Sequence, residues 1–257
     1  MKNLLIEELQ QGKKTLGMFH ELTSASAVEC MAYAGLDYVI IDTEHGPGDV
    51  ESTLEYIRAA KGKGLTPLVR VKDASRNSIL KMLDAGAMGL IIPNVQSVEQ
   101  VKEIISYGKY FPIGDRGVAP TAGTSYWSED YAKKGMEEYF KVNNRETMLI
   151  PQCETKGFVD DLEEIVKLDG IDGIFVGPYD LSTALGKPGD FADEEVKGVI
   201  QKVQELCKEN GLFSFIYSGN IEAAKNNFGI GYDSVTYGMD ALTLIEALEN
   251  ARKSILS

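Results

Sequence analysis

The chain has 257 residues, a formal net charge of −13 and a hydrophobic fraction of 44%. This length suits one α/β barrel or two smaller domains, and it is enough to bury a substantial core. The acidic balance argues against a nucleic-acid partner, because the phosphate backbone needs a basic face, and equally against an anionic membrane surface.

Three cysteines stand at positions 30, 153 and 207, so they are few, odd in number and far apart. A disulfide framework is therefore not expected, and a reducing compartment fits. No stretch approaches the ~20 apolar residues of a membrane span. The first residues, MKNLLIEELQQ, carry acids where a signal peptide has its apolar centre. We expect a cytoplasmic protein.

Short apolar strands and amphipathic helices alternate along the chain. After a first helix over 2–11, eight strand-then-helix units follow, with Cys153 read as a core residue. The predicted strands cover residues 16–19, 38–41, 67–70, 89–92, 148–153, 174–176, 212–217 and 234–237. The clearest helical stripe is formed by Val196, Val199, Ile200, Val203, Leu206 and Cys207.

One long segment, 107–147, interrupts this alternation and is rich in glycine, tyrosine and charge. Segments of this length inside a compact domain are usually functional or have structure of their own. We predict a helix over 128–143 and a loop over 113–127 that covers the rim of the sheet. The fifth helix is predicted over 159–167, and the last helix over 240–255.

The alternation predicts a parallel sheet, and eight units predict a single closed (β/α)8 TIM barrel of class α/β. No linker or shift in composition divides the chain, so we predict one domain over 1–257. An open doubly wound sheet is the alternative. It is disfavoured because no G-x-G-x-x-G motif follows the first strand.

Two carboxylates stand just past the ends of the fifth and sixth strands, at Glu154 and Asp180. In a parallel barrel both would face the same rim, and two converging oxygen donors suit a hard divalent cation. Each residue alone has a second interpretation. Asp180 could be a helix N-cap, and Glu154 could belong to a first helical turn. Their equivalent positions in successive units favour a site.

Other polar residues are expected at the same rim. His45 follows the second strand among acids, and a histidine side chain can transfer protons near neutrality. Arg70 ends a buried strand, so its guanidinium needs an anionic partner from the protein or from a substrate. Glu44 is read as facing solvent or supporting a neighbour, and Arg116 in GDRG as part of a turn or a structural clamp.

No motif for a catalytic nucleophile is present, since the chain has no G-x-S-x-G and no Cys–His motif. No lysine follows the sixth strand, where a Schiff-base aldolase could carry one. Ser218-Gly219 and Tyr237-Gly238 follow the last two strands, and they are a weak signal for a phosphate site.

Six motifs together resemble the HpcH/HpaI aldolase family, the class II metal-dependent pyruvate aldolases. They are IDTEH at 41–45, Arg70, LDAG at 83–86, GDRG at 114–117, QCET at 152–155 and GIFVGPYDLS at 173–182. They cover nearly the whole chain in the family's order and spacing. The resemblance implies a barrel of the phosphoenolpyruvate/pyruvate superfamily type.

The resemblance also implies roles on the pyruvate side. Glu154 and Asp180 match the ligands of a divalent cation, Mg²⁺ or Mn²⁺ with Co²⁺ as a further choice, and water and pyruvate oxygens complete the shell. Arg70 matches the arginine that binds the keto oxygen and stabilises the enolate. The residues matched to substrate binding are Gln152, Gly177, Pro178 and Tyr179, and the backbone around Pro178 to Asp180, at a helix N-terminus, would hold the pyruvate carboxylate.

For proton transfer the resemblance implies His45, with Asp84 as its partner and Asp42 nearby. Members of the family are typically hexamers in which the final helix packs on a neighbouring subunit. Tyr179 departs from the family, because relatives often have a small residue there. The rim residues at 20–21, 119–126 and 217–220 also depart, so the pyruvate half of a substrate is better predicted than the aldehyde half.

The expected reaction is metal-dependent, reversible cleavage of a 4-hydroxy-2-oxo acid, for example a 2-dehydro-3-deoxy sugar acid, to pyruvate and an aldehyde. A Lewis-acid metal and Arg70 would stabilise the enolate without a Schiff base. Two alternatives are a citrate-lyase-like enzyme acting on an acyl-CoA thioester and a non-catalytic oligomer that binds 2-oxo acids. The acidic composition speaks mildly against the first of these.

Overall fold

Eight parallel strands form one closed barrel in the order of the sequence, with β1 hydrogen-bonded to both β2 and β8. The computed structural model describes residues 2–256. The strands are β1 Thr15–His20, β2 Tyr38–Asp42, β3 Thr66–Arg70, β4 Gly89–Ile92, β5 Met148–Cys153, β6 Gly173–Val176, β7 Phe213–Ser218 and β8 Ser234–Met239. All eight predicted strands are confirmed, as is the barrel.

Helices surround the barrel, and several begin at a side chain that accepts a backbone N–H three residues on, as Ser24, Ser75 and Ser97 do. They are α1 Leu4–Gln10, α2 Ala25–Tyr33, α3 Val50–Gly62, α4 Arg76–Ala85, α5 Val98–Gly108, α6 Met136–Glu146, α7 Lys156–Asp160, α8 Leu162–Ile165, α9 Pro178–Ala184, α10 Glu194–Glu209, α11 Ile221–Ile230 and α12 Asp240–Leu256. Within residues 2–256, no helix has the length and hydropathy to cross a membrane.

Because the strands are buried on both faces, the core has two layers. Side chains inside the barrel, such as Ile40, Ile150 and Phe215, form the inner layer and pack against α1. Side chains on the other face, such as Val39 and Ile174, pack against the surrounding helices and form the outer layer. Cys153 lies in this outer layer, as predicted.

The segment after α5 differs from the prediction. Two 3₁₀ turns, Ala122–Trp127 and Ala132–Lys134, precede α6, which is shorter at its start than predicted and ends three residues later. The loop does not cover the rim. Gly123 packs so closely on the end of α4 that a Cβ there would lie 2.0 Å from the Leu83 carbonyl oxygen. Since helices run antiparallel to the strands, this is the opposite end of the barrel. The predicted fifth helix is two short helices, α7 and α8.

A buried lysine holds the beginnings of β5 and β6 together. Lys109 Nζ donates to the carbonyls of Asn144 and Thr147, at 2.9 and 2.5 Å, and to Asp172 Oδ2 at 2.9 Å. Asp172 also accepts the Leu149 N–H. This cluster therefore fixes the two strands whose other ends carry Glu154 and Asp180.

Replacing Lys109 with methionine is expected to lower the free energy of unfolding by about 3 to 5 kcal/mol. The change keeps the volume but leaves the Asp172 carboxylate without its positive partner and two carbonyls without their donor. Chemical denaturation monitored by circular dichroism measures the effect. As a control, the exposed Lys102, paired with Glu99 on α5, is expected to tolerate the same change within about 0.5 kcal/mol. Equal small effects at both positions would contradict the role given to Lys109.

Candidate active site

The carboxyl ends of the strands surround a cavity of about 290 Å³. Most residues predicted for the site line it, together with aromatic and apolar side chains that the motifs did not indicate. The lining residues are Phe19, His45, Arg70, Gln152, Phe175, Gly177, Pro178, Tyr179, Asp180, Tyr217, Met239 and Leu242.

Glu154 is buried just past β5 and is held from two sides. Its Oε1 accepts the Asn94 backbone N–H at 2.6 Å, and its Oε2 accepts a short hydrogen bond from Gln152 Nε2. Gly177 makes this arrangement possible, because a Cβ there would lie 2.6 Å from Gln152 Nε2 and 3.0 Å from Glu154 Oε2. The carboxylate is thus fixed at the mouth of the barrel beside the exposed Asp180.

The environment of Glu154 raises its pKa from 4.5 to about 7. Burial is the main cause, and the negative charges of Asp180 and Glu44 add to it, while the Asn94 N–H and Gln152 oppose it. A carboxyl group with a raised pKa next to a second carboxylate is an arrangement that a cation would relieve.

The residues present fit a hard divalent cation. Gln152 Oε1 is buried and has no hydrogen-bond partner, so an amide oxygen without a donor lies next to Glu154. Across residues 2–256, no cluster of three or more His, Cys, Asp or Glu side chains could hold a metal. Glu154 and Asp180 would supply two carboxylates and leave other positions to water and substrate, which is how Mg²⁺ is commonly bound.

In metal-free buffer, the stability of the protein relative to Glu154→Gln is expected to fall as pH rises. Because the native pKa lies above the unfolded value, the stabilisation is full below about pH 4.5, is lost progressively as pH rises from 4.5 to 7, and does not change further above that. The difference in unfolding free energy should change by about 3 kcal/mol in favour of Glu154→Gln between pH 4.5 and 8. Urea titrations with a chelator measure it, and a difference that does not vary with pH would contradict the assignment.

Arg70 is held by a buried bidentate ion pair with Asp42. Its Nε and Nη2 donate to Asp42 Oδ1 and Oδ2 at 2.9 and 2.6 Å, and Glu44 Oε2 lies 3.3 Å from Nε. The guanidinium carbon lies 4.6 Å from the centre of the Phe19 ring. Burial alone would raise the pKa of Asp42, but the hydrogen bonds and charge of Arg70 outweigh it and the pKa is lowered. The anionic partner expected for Arg70 is therefore Asp42, and Glu44 supports the pair.

His45 lines the same cavity, and its side chain is 67% exposed. Its Nε2 lies 3.9 Å from Glu44 Oε2. Asp42 accepts the Glu44 backbone N–H at 3.1 Å, so the same carboxylate that holds Arg70 also orders the turn that carries His45. The imidazole is therefore exposed to the cavity.

Asp84 is not brought to His45 within the chain. It lies near the end of α4, at the opposite end of the barrel, where its Oδ1 accepts from Arg116 Nη2 at 3.1 Å. Arg116 also stacks over the Tyr110 ring at 4.7 Å. Of the two readings of GDRG, the structural clamp is correct. The pairing of His45 with Asp84 therefore does not occur within one chain.

Several residues near the site were not recognised from the sequence. Asn94 adopts a left-handed backbone, with φ of 53°, and presents its N–H to Glu154. His20 is buried and its Nδ1 lies 2.6 Å from Asp240 Oδ2, which joins the end of β1 to the start of α12. Asp240 stands at a strand end, as Glu154 does, and this position was the available signal.

Comparison with known proteins places the chain in a family. The model of the HpcH/HpaI aldolase/citrate lyase family matches residues 15–247. A 2-keto-3-deoxy-L-rhamnonate aldolase of Klebsiella pneumoniae is 31% identical, over 94% of this chain and 88% of its own. The enzyme of the same name from Escherichia coli K12 is 30% identical over 97% of this chain and 91% of its own.

Solved structures agree with the fold and the family. An HpcH/HpaI aldolase/citrate lyase family protein from Burkholderia cenocepacia J2315 superposes with a TM-score of 0.90 at 29% identity and covers 100% of both chains. The citrate synthase SbnG superposes with a TM-score of 0.86 at 27% identity over 96% of this chain and 95% of its own. The chain belongs to the HpcH/HpaI aldolase/citrate lyase family.

Proposed function

We propose that this protein is a divalent-metal-dependent aldolase that reversibly cleaves a 4-hydroxy-2-oxo acid to pyruvate and an aldehyde. Membership of the family and its named aldolase relatives make it a carbon–carbon lyase. The main support for the proposal is one cavity lined by Arg70, His45 and Asp180. Beside it lie the buried Glu154 and Gln152, whose side-chain oxygen has no hydrogen-bond partner. A 2-dehydro-3-deoxy sugar acid is a substrate of the proposed kind, as the names of the relatives indicate for those proteins.

In this proposal Glu154 and Asp180 hold Mg²⁺ or Mn²⁺, with Co²⁺ as a further choice. The bound cation would polarise the 2-oxo group as a Lewis acid. Arg70 adds a positive charge at the oxygen where negative charge develops. Asp42 occupies Nε and Nη2, and Nη1 makes no hydrogen bond within residues 2–256, so Nη1 is open to a substrate oxygen. The backbone around residues 178–180, at the start of α9, would receive the carboxylate.

The remaining chemistry is proton transfer. A base must take the proton of the 4-hydroxyl as the C3–C4 bond breaks, and the released enolate must then gain a proton at C3. His45 is exposed in the cavity and is the proposed carrier of the first proton. Since Asp84 lies at the far end of the same chain, it belongs to this proposal only as a residue from a neighbouring copy.

We further propose a homo-oligomer in the cytoplasm, with a hexamer as the expected form. Every residue of α12 from 242 to 256 is exposed. Its exposed large apolar residues are Leu242, Leu244, Ile245, Leu248, Ile255 and Leu256. Apolar exposure of this extent is typical of a helix that packs on another subunit. The small number and wide spacing of the three cysteines fit a reducing compartment.

Exchange of the pyruvate methyl protons for deuterium tests the proposed function directly, because it needs enolate formation and no aldehyde. We expect exchange with Mn²⁺ or Mg²⁺ and its loss when a chelator is added. Tight binding of 2-oxo acids without metal-dependent exchange would indicate a binding protein. Turnover of an acyl-CoA thioester in place of exchange would indicate the citrate-lyase-like alternative.

A further inference from the structure

A second cavity, of about 410 Å³, adjoins the proposed active site. It lies between α10 and α11, beside the end of β7. Three of its lining residues, Pro178, Tyr179 and Tyr217, also line the first cavity. The two spaces therefore lie on either side of the same side chains.

The shared boundary is aromatic. Tyr179 is 53% exposed and meets Phe191 edge to face, with ring centres 4.9 Å apart. On its other side it lies 6.0 Å from Tyr217, and Tyr217 lies 6.0 Å from Phe19, the ring beneath Arg70. A row of rings thus runs from the catalytic cavity into the second one. An exposed ring can also change its rotamer without disturbing the core.

Charge near the catalytic cavity opposes a second anionic group on the substrate. Glu21 lies close to Asp42, and burial followed by the charge of Asp42 raises its pKa. Asp240 and Glu44 add further negative charge. Arg70 cannot offset this negative charge, because it is paired with Asp42 and is proposed to contact the keto oxygen.

The second cavity is itself almost free of charge. Among its lining residues only Lys197 is charged, and that side chain lies 3.2 Å from Glu194 Oε1. Apolar groups such as Ile200 and Ile230 form one part of the wall. Neutral amides such as Gln201 and Asn220 form another. Such a surface suits an uncharged group with an apolar or aromatic part and some hydrogen-bonding oxygens.

We propose that this second cavity is the distal subsite of the active site and receives an uncharged, extended substituent on the aldehyde half of the substrate. The inference rests on the aldolase function proposed above. The reacting aldehyde carbon would stay in the first cavity, and its substituent would pass along Tyr179 and Tyr217. The protein would then favour neutral extended aldehydes over anionic ones of similar length.

Aldol addition of pyruvate with Mn²⁺ to three aldehydes tests the proposal: glycolaldehyde, benzyloxyacetaldehyde and succinic semialdehyde. In the natural sequence, we expect kcat/KM for benzyloxyacetaldehyde to exceed that for succinic semialdehyde about tenfold or more. Ala223→Trp, which fills the second cavity from α11, should lower kcat/KM for benzyloxyacetaldehyde about tenfold and leave glycolaldehyde within about twofold.

Lys225→Trp is the matched control, because it adds the same ring to an exposed position of α11 outside the cavity lining. Ile230→Trp fills the cavity from another side and replaces Ala223→Trp if that variant does not fold. The subsite would be refuted if a cavity-filling variant lowered kcat/KM equally for glycolaldehyde and benzyloxyacetaldehyde, or lowered it for neither. It would also be refuted if the unmodified protein preferred succinic semialdehyde. If the subsite is refuted in one of these ways but the pyruvate methyl protons still exchange for deuterium, the proposed aldolase function stands. Absence of exchange in the natural sequence refutes that function instead.

Discussion

Replacing Arg70 with alanine is expected to lower kcat/KM for aldol cleavage by about 10³-fold or more, the upper range for removal of one donor to a developing oxyanion. The expected loss is large because the guanidinium is buried against Phe19 and fixed by Asp42, so it is oriented before the substrate binds. Exchange of pyruvate methyl protons should fall in parallel, since it forms the same enolate. Steady-state cleavage kinetics and exchange followed by NMR measure the two effects.

The ion pair makes a second variant necessary. Arg70→Ala leaves the buried Asp42 carboxylate unpaired, which is expected to cost about 3 to 5 kcal/mol of stability. The double variant Arg70→Ala/Asp42→Asn removes the charge that lacks a partner, so it should recover much of the stability and none of the activity. Arg58→Ala, at an exposed pair with Glu55, is the matched control for loss of an arginine. Full exchange activity in Arg70→Ala would refute the mechanism.

The barrel could be predicted because its determinants are local. Each strand is a short apolar run that ends at a turn, and each helix carries one apolar stripe, so eight repeated units specify a parallel ring. The rim residues follow from that ring, since a residue just past a strand end must face the same side. Arg70, His45, Gln152 and Asp180 accordingly line one cavity, with Glu154 buried beside them.

The failed predictions concern features without periodicity. Ser125, Tyr126 and Trp127 all adopt a left-handed backbone, with φ between 48° and 58°. Such a conformation is unusual for residues other than glycine, so no sequence pattern indicated the turn that carries this segment to the far end of the barrel. The predicted pairing of Asp84 with His45 was wrong within the chain for a similar reason. The order of motifs along the sequence does not show at which end of the barrel a residue lies. Asp84 lies near the end of α4, far from the rim.

Replacing Glu154 with glutamine is expected to weaken Mn²⁺ binding by more than about 100-fold. Loss of a group that only supports a metal ligand typically costs roughly 10- to 100-fold, and Glu154 is proposed as a ligand itself. The natural side chain is fixed by the Asn94 N–H and by Gln152, so its carboxylate is placed before the cation arrives. Glutamine keeps the size and the acceptor for Asn94, but it removes the charge and places an NH2 group where Oε2 accepts from Gln152. Pyruvate exchange should fall with metal affinity and recover in part at high Mn²⁺.

Asp180→Asn distinguishes a shared cation from a structural carboxylate at Glu154. If the two side chains hold one ion, each single change should weaken binding, and the double change should weaken it by less than the product of the two, because ligands of one ion act as a unit. Isothermal titration with Mn²⁺ measures all three proteins. Asp160→Asn, an exposed carboxylate on α7 paired with Lys156, should bind like the natural sequence. Unchanged affinity in either Glu154→Gln or Asp180→Asn would mean that the cation, if it binds, is held elsewhere, and the proposed chemistry at this rim would fail.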